Sequence, residues 1–119
     1  ITPNIPDKKN VKLVTSYNYG ELLRAGVRIY EYTPGFIHAK TILTEDCGII
    51  GTINMDYRSF YLHYECGALI YDKEALRPAY EDLLATMKIS REITYEEWKN
   101  RSLWTKIKQN FLNLFATLM

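Results

Sequence analysis

The strongest constraint on the fold is a strict two-residue alternation at Val27-Arg28-Ile29-Tyr30-Glu31-Tyr32, closed by Thr33-Pro34-Gly35. Residues two apart share one face of a strand, and this run is rich in β-formers, so it predicts a strand ending in a turn. The text before it has no such period. Pro6-Asp7 opens a helix from about Lys8 to Tyr17, and a second helical stretch, Tyr19 to Arg24, stops at Gly26, a natural C-cap.

The rest of the chain follows from the same signals. Phe36 to Thr44 reads as a second strand, Cys47 to Gly51 as a third and Glu65 to Tyr71 as a fourth. Asn54 to His63 reads as an irregular loop with room for one helical turn. Asp72 can cap a helix running to about Lys88, which Pro78 either kinks or truly starts. Thr94-Tyr95-Glu96-Glu97 is a capping box for a short helix, and a last helix covers Leu103 to Leu118.

Strands alternating with helices predict an α/β fold, a mixed sheet flanked by helices with a helical C-terminal appendage. The expected division is a half-domain over residues 1–91 and an amphipathic helical segment over 92–119. The expected apolar core set is Val27, Ile29, Ile42, Ile49, Ile50, Leu69 and Ile70.

At 119 residues the chain suits one core, and its formal net charge of +1 gives no bulk argument for nucleic acid. No apolar run approaches the roughly eighteen residues a membrane span needs. The opening Ile1-Thr2-Pro3-Asn4-Ile5-Pro6 is not a signal peptide and resembles a strand end, so the chain reads as starting inside a longer protein. Cys47 and Cys66 lie in apolar text without metal-ligand spacing, which predicts two reduced, buried thiols.

The chemistry concentrates at His38-Ala39-Lys40. On a strand, His38 and Lys40 project together while Ala39 and Thr41 face the core. A titratable imidazole beside a fixed cation suits an anionic substrate, phosphate above all. Thr52 and Asn54 in Gly51-Thr52-Ile53-Asn54 are again two apart and offer neutral donors to phosphate oxygens, while Gly51 allows close backbone approach. Glu65 opens an apolar strand, where a carboxylate needs a partner. The His38 imidazole is a suitable one, and the pairing would fix its tautomer and favour the protonated ring.

In this order and spacing the residues resemble the HKD motif of the phospholipase D superfamily: His, Lys two later, an acid, then Gly-Ser/Thr-x-Asn. The run Asn54-Met55-Asp56-Tyr57-Arg58-Ser59 is similar to that of bacterial cardiolipin synthases. So are Ile5-Pro6-Asp7-Lys8, Tyr32-Thr33-Pro34-Gly35-Phe36 and the tail around Trp98 and Trp104. The resemblance implies the C-terminal catalytic half of a two-motif enzyme that needs no metal or other cofactor. In such enzymes one His forms a covalent phosphohistidine and the other handles protons. His38 is then general acid and later general base, Lys40, Thr52 and Asn54 hold phosphoryl oxygens, and Glu65 orients the imidazole.

The motif acid departs from the family pattern. Glu45 stands at the usual distance from Lys40, yet only five residues lie between it and Gly51, so either Glu45 substitutes or a deletion makes Asp46 the equivalent. The resemblance further implies phosphatidylglycerol as substrate. It implies as partner a missing N-terminal half or a second copy of this chain, and a parent at the cytoplasmic face of the cell membrane, with no nucleic acid. The fragment itself reads as soluble. The rival readings are a homodimeric single-motif nuclease or phosphodiesterase, and a non-catalytic lipid-binding module.

Other residues divide less sharply. His63 has no companion and reads as structural or exposed. Asp56 and Arg58 form either a loop salt bridge on the site rim or a headgroup contact. Leu103, Trp104, Ile107, Phe111, Leu114, Phe115 and Leu118 make one helical stripe, facing either protein or lipid.

Overall fold

The computed structural model describes residues 1–115; Leu118, the last member of the apolar stripe, lies outside them. The chain divides into two compact units, residues 1–37 with 89–119, and residues 38–88. Each contains a three-stranded sheet with helices, so the α/β class holds.

In the first unit, β1 (Thr2–Pro3) pairs in parallel with β2 (Ile29–Tyr32). The same β2 pairs antiparallel with a strand at Ser90–Ile93, and this sheet is the mixed one. The two helical stretches expected before Gly26 are one helix, α1 (Lys9–Arg24), because nothing between Tyr17 and Tyr19 breaks the backbone ladder. Gly26 adopts φ +85°, the left-handed conformation that ends a helix most cheaply in glycine.

The core of this unit is Tyr19, Ile29 and Ile93, with Leu23 and Trp98 packed against it. Beside it lies a buried carboxylate. Glu31 is 5% exposed and is held by the Lys12 ammonium, by Arg91 at 3.1 Å and by the Tyr19 hydroxyl at 3.5 Å. Burial first, then the neighbouring Glu31 charge, pushes the Tyr19 phenol up to about 12.

In the second unit, β3 (Lys40–Leu43), β4 (Gly48–Gly51) and β5 (Gly67–Ile70) form an antiparallel meander in that order. A short helix, α2 (Tyr57–Tyr61), lies in the β4–β5 connection, and α3 (Lys73–Lys88) follows β5. Asp72 Oδ1 accepts the Glu74 N–H at 2.9 Å, so α3 starts where expected and runs through Pro78. The strand Ser90–Ile93, now β6, then returns to the first unit. It is followed there by α4 (Tyr95–Lys99) and α5 (Leu103–Asn113).

Several expectations need correcting. The strand predicted over Phe36 to Thr44 starts only at Lys40, so Ala39 is exposed rather than facing a core. Of the expected core set only Ile29 is buried; Val27, Ile50 and Leu69 are exposed. In the second unit Leu76 of α3 is the one buried apolar residue among those described, sitting against Gly48 and Leu43 at one end of the meander. The cysteines are free thiols, but neither is buried: Cys47 is half-buried and Cys66 exposed. Both fall one residue before a paired strand, Cys47 before β4 and Cys66 before β5.

The capping box at Thr94 is half formed. Its hydroxyl accepts the Glu97 N–H at 3.2 Å, while the Glu97 carboxylate is taken by Arg91. The boundary drawn after residue 91 falls inside β6, and residues 92–119 share a compact unit with residues 1–37.

Candidate functional site

The strand register explains why distant residues meet. Lys40 pairs with Gly51, and Gly51 with Gly67, so one cross-strand row runs through the start of β3, the end of β4 and the start of β5. The chain just outside that row carries His38 before β3, Thr52 and Asn54 after β4, and Glu65 before β5. An antiparallel meander necessarily gathers these three segments at one end.

Gly51 is the residue that lets the row close. A Cβ there would lie 2.2 Å from the Cys66 carbonyl oxygen and 2.5 Å from the Gly67 Cα, both backbone atoms that cannot step aside. The Thr52 N–H donates to that same Cys66 carbonyl at 2.8 Å, and the Cys66 N–H donates to Thr52 Oγ1 at 3.0 Å.

Glu65 sits at the centre of a polar knot. The Thr52 hydroxyl donates to Oε2, and the Ser59 hydroxyl donates to Oε1 at 2.8 Å. These two bonds, the Thr52 one foremost, hold the Glu65 carboxyl below the usual carboxylate range, with smaller pulls from the His63 and Lys40 charges. Glu65 is therefore ionised near neutral pH. The Thr52 proton, expected to point at phosphate, is directed at this carboxylate.

Ser59 is the residue that the sequence reading passed over. It is 8% exposed, and besides donating to Glu65 it accepts the Asn54 N–H at 3.3 Å. It is fixed by Asp56, whose Oδ1 accepts the Ser59 N–H at 2.7 Å as the N-cap of α2. The Asp-x-x-Ser spacing was the available signal. Asp56 is thus a helix cap, and the rim salt bridge with Arg58 is not formed among the described residues.

The Lys40 ammonium reaches back to donate to the His38 carbonyl at 2.9 Å, which keeps the cation beside the histidine. His38 is exposed and lies in the irregular segment just before β3. His63 is exposed in the loop after α2.

The two candidate motif acids lie elsewhere. Glu45 and Asp46 are in the β3–β4 turn, beyond the Leu43–Gly48 pair and at the opposite end of β3 from Lys40. Three residues of strand separate these ends by roughly 10 Å. Asp46 pairs with Lys73 of α3 at 3.1 Å, and Glu45 lines a cleft of about 560 Å³ with Leu43, Leu76, Arg77 and Tyr80. No cluster of three metal-ligating side chains occurs among the described residues.

Comparison with known proteins gives a consistent family. Residues 1–87 match the family described as cardiolipin synthase, PLD-like domain. The major cardiolipin synthase of Bacillus subtilis is 43% identical over 98% of this chain, and a cardiolipin synthase of Staphylococcus aureus is 36% identical over 98%. An uncharacterised protein of Streptococcus mutans is 40% identical over the whole chain. The chain spans about a quarter of each of these relatives, between 24% and 26% of their length. No solved structure matches the chain.

Proposed function

The chain belongs to the cardiolipin synthase phospholipase-D-like domain family, and from that membership we propose that it is one catalytic half of a phosphatidyltransferase. Its parent joins two phosphatidylglycerol molecules into cardiolipin and releases glycerol at the cytoplasmic face of the cell membrane. The unit of residues 38–88 carries the half-site residues, and the unit of residues 1–37 with 89–119 carries the C-terminal helices. A second histidine comes from the missing half or from another copy of this chain.

In the first step the partner histidine attacks phosphorus. A phosphorus–nitrogen bond forms, the bond to the glycerol oxygen breaks, and His38 gives its proton to that oxygen. In the second step His38 takes the proton of an incoming phosphatidylglycerol hydroxyl, which displaces the partner histidine from phosphorus. An imidazole with a reference pKa of ~6.5 serves both directions near neutral pH. Lys40 stabilises charge on the phosphoryl oxygens, and the Asn54 amide adds a neutral donor. Glu65, held ionised by Ser59 and Thr52, favours the protonated His38 ring once substrate and the opposite half close the site.

The observation that supports this reading is the convergence of His38, Lys40, Asn54 and Glu65 at one end of an antiparallel meander inside a family-matched segment. His38→Ala in the full-length parent should lower cardiolipin formation by at least ~10²–10⁴-fold, the usual worth of positioned acid–base help. A variant retaining more than about a tenth of the parent rate would show that His38 is not the proton-transfer group.

A further inference from the structure

Helix α5 is inside out. Apart from the half-buried Leu112, its apolar residues are the exposed ones: Leu103 is 72% exposed, Trp104 74% and Phe111 63%, and Leu114 just past its end is 77%. Ile107 and Phe115 complete the stripe and are also exposed. The side chain half a turn away, Gln109, is 1% exposed. The face that packs on α1 is thus centred on a glutamine. Gln109 Nε2 donates to Ser16 Oγ at 2.8 Å, and Arg101 donates to Gln109 Oε1 at 2.6 Å. A helix fixed by a buried glutamine, while its aromatic face meets water, has a use for that face.

Charge says what the face meets. Residues 98–119 contain Lys99, Arg101, Lys106 and Lys108 and no Asp or Glu, whereas residues 1–97 carry eleven basic and fourteen acidic side chains. Basic charge is therefore gathered at the end of the chain that exposes the stripe. Lys108 is exposed at the margin of the stripe, and no carboxylate pairs with Lys99, Lys106 or Lys108 among the described residues. No helix among the described residues is long and apolar enough to cross a membrane.

We propose that α5 lies flat on an anionic lipid surface, with Trp104, Ile107, Phe111 and Leu114 in the acyl boundary and the lysines against the headgroups. Gln109 ties the helix to α1 and Arg101 holds Gln109 in place, so that the docking face is presented ready-made and no folding on the membrane is needed. Tryptophan suits such a boundary, because its ring is apolar and its N–H can meet water. Trp98, by contrast, is anchored inside the unit by its Nε1–H donating to the Ser16 carbonyl at 2.8 Å.

The difference between the two tryptophans supplies the test. The chain is titrated with vesicles of phosphatidylserine in phosphatidylcholine, an anionic surface that is not the proposed substrate. Vesicle sedimentation is read beside tryptophan fluorescence. Binding should come with a blue shift that Trp104→Phe removes and Trp98→Phe keeps. Trp104→Ala with Phe111→Ala should weaken partitioning at least about tenfold without changing far-UV dichroism, since both side chains are exposed. Raising the salt should weaken binding, and pure phosphatidylcholine should bind less. His38→Ala should bind like the parent chain, so a failure of the catalytic reading leaves this result untouched. Unchanged binding by the double variant overturns the proposal. So does a concentration-dependent dimer that the double variant dissolves, with no vesicle binding, because the stripe is then covered by a second copy.

Discussion

The Ser59 hydroxyl donates to Glu65 Oε1 at 2.8 Å, and this bond ties a helix cap to a carboxylate at the start of β5. Together with the Thr52 bond to Oε2, it stabilises the charged form of Glu65. Removing either donor should therefore raise the Glu65 pKa towards the ordinary carboxylate value, with Thr52→Val acting more strongly than Ser59→Ala. Because the folded-state pKa is depressed, the associated stability is present above the unfolded value and is lost as the pH falls through the folded one. A carbon-detected NMR titration of Glu65 checks the direction; an unchanged midpoint in Thr52→Val would mean the hydroxyl does not hold the charge.

Gly51→Ala should damage both the fold of the second unit and the site. The new methyl meets the Cys66 carbonyl at 2.2 Å and the Gly67 Cα at 2.5 Å, so β4 and β5 must separate at the very row that gathers the site. Overpacking of this kind costs about 1–3 kcal/mol, towards the upper end when the obstacle is backbone. Urea unfolding gives the cost. Gly67→Ala is the control, since its Cβ meets the Ile53 and Ile49 side chains at 3.2 and 3.3 Å and backbone only at an ordinary 3.7 Å, and it should cost less.

Glu31 anchors the first unit through three partners on α1 and β6, and its loss should be the costliest of these changes. Glu31→Ala leaves the Lys12 ammonium, whose side chain is only 19% exposed, without its counter-charge. Breaking a buried pair costs ~3–5 kcal/mol, and the lower end applies because the Arg91 side chain is half exposed and can turn to water. The Tyr19 phenol should simultaneously fall from about 12, having lost the Glu31 charge that helps raise it. Thermal unfolding and an ultraviolet phenol titration measure the two effects. In the native chain the raised Tyr19 pKa makes stability drain away as pH rises from about 10 to about 12.

The legible parts of this molecule were those written in short-range chemistry. Gly26 at the end of α1, Asp72 at the start of α3 and the alternation of β2 all act within one or two turns of chain, and each is found where its residues put it. The His38 to Asn54 spacing was equally plain, because it reflects two strand ends brought together by one tight connection. Ser59 is only half legible: the Asp-x-x-Ser spacing marks the cap of α2, but not that the Ser59 hydroxyl of that helix turns inward to Glu65. The strand at Ser90–Ile93 was missed for a related reason. Ser-Arg-Glu-Ile has almost no apolar signal of its own and is a strand only because β2 pairs with it. The apolar text of β4 and β5 misled in the opposite sense: it was read as core, yet Ile50 and Leu69 are exposed.

The isolated chain should turn over phosphatidylglycerol only as a dimer, or not at all. Displacement at phosphorus needs a nucleophile on one side and an acid on the other, and this chain carries one histidine in the His-x-Lys spacing, His38. The other histidine, His63, lies in the loop after α2, two residues before Glu65, where its charge helps lower the Glu65 carboxyl, but it has no lysine two residues on as His38 has. Two copies can bring two His38 side chains together about a two-fold axis, since a contact of that symmetry is self-complementary. The second unit also exposes apolar surface suited to association, with Ile50, Leu69, Tyr64 and Tyr71 all open to solvent. Light scattering after size exclusion, run on the same fractions as a turnover assay, separates the cases. Activity confined to a dimer fraction, or appearing only when the rest of the parent is added back, is the expected result. Mixing His38→Ala chains with native chains should then lower activity faster than simple dilution, because every mixed dimer lacks one histidine. A strictly monomeric chain that makes cardiolipin would mean that both proton transfer and covalent attack are available within these 119 residues, and the half-site reading would fall.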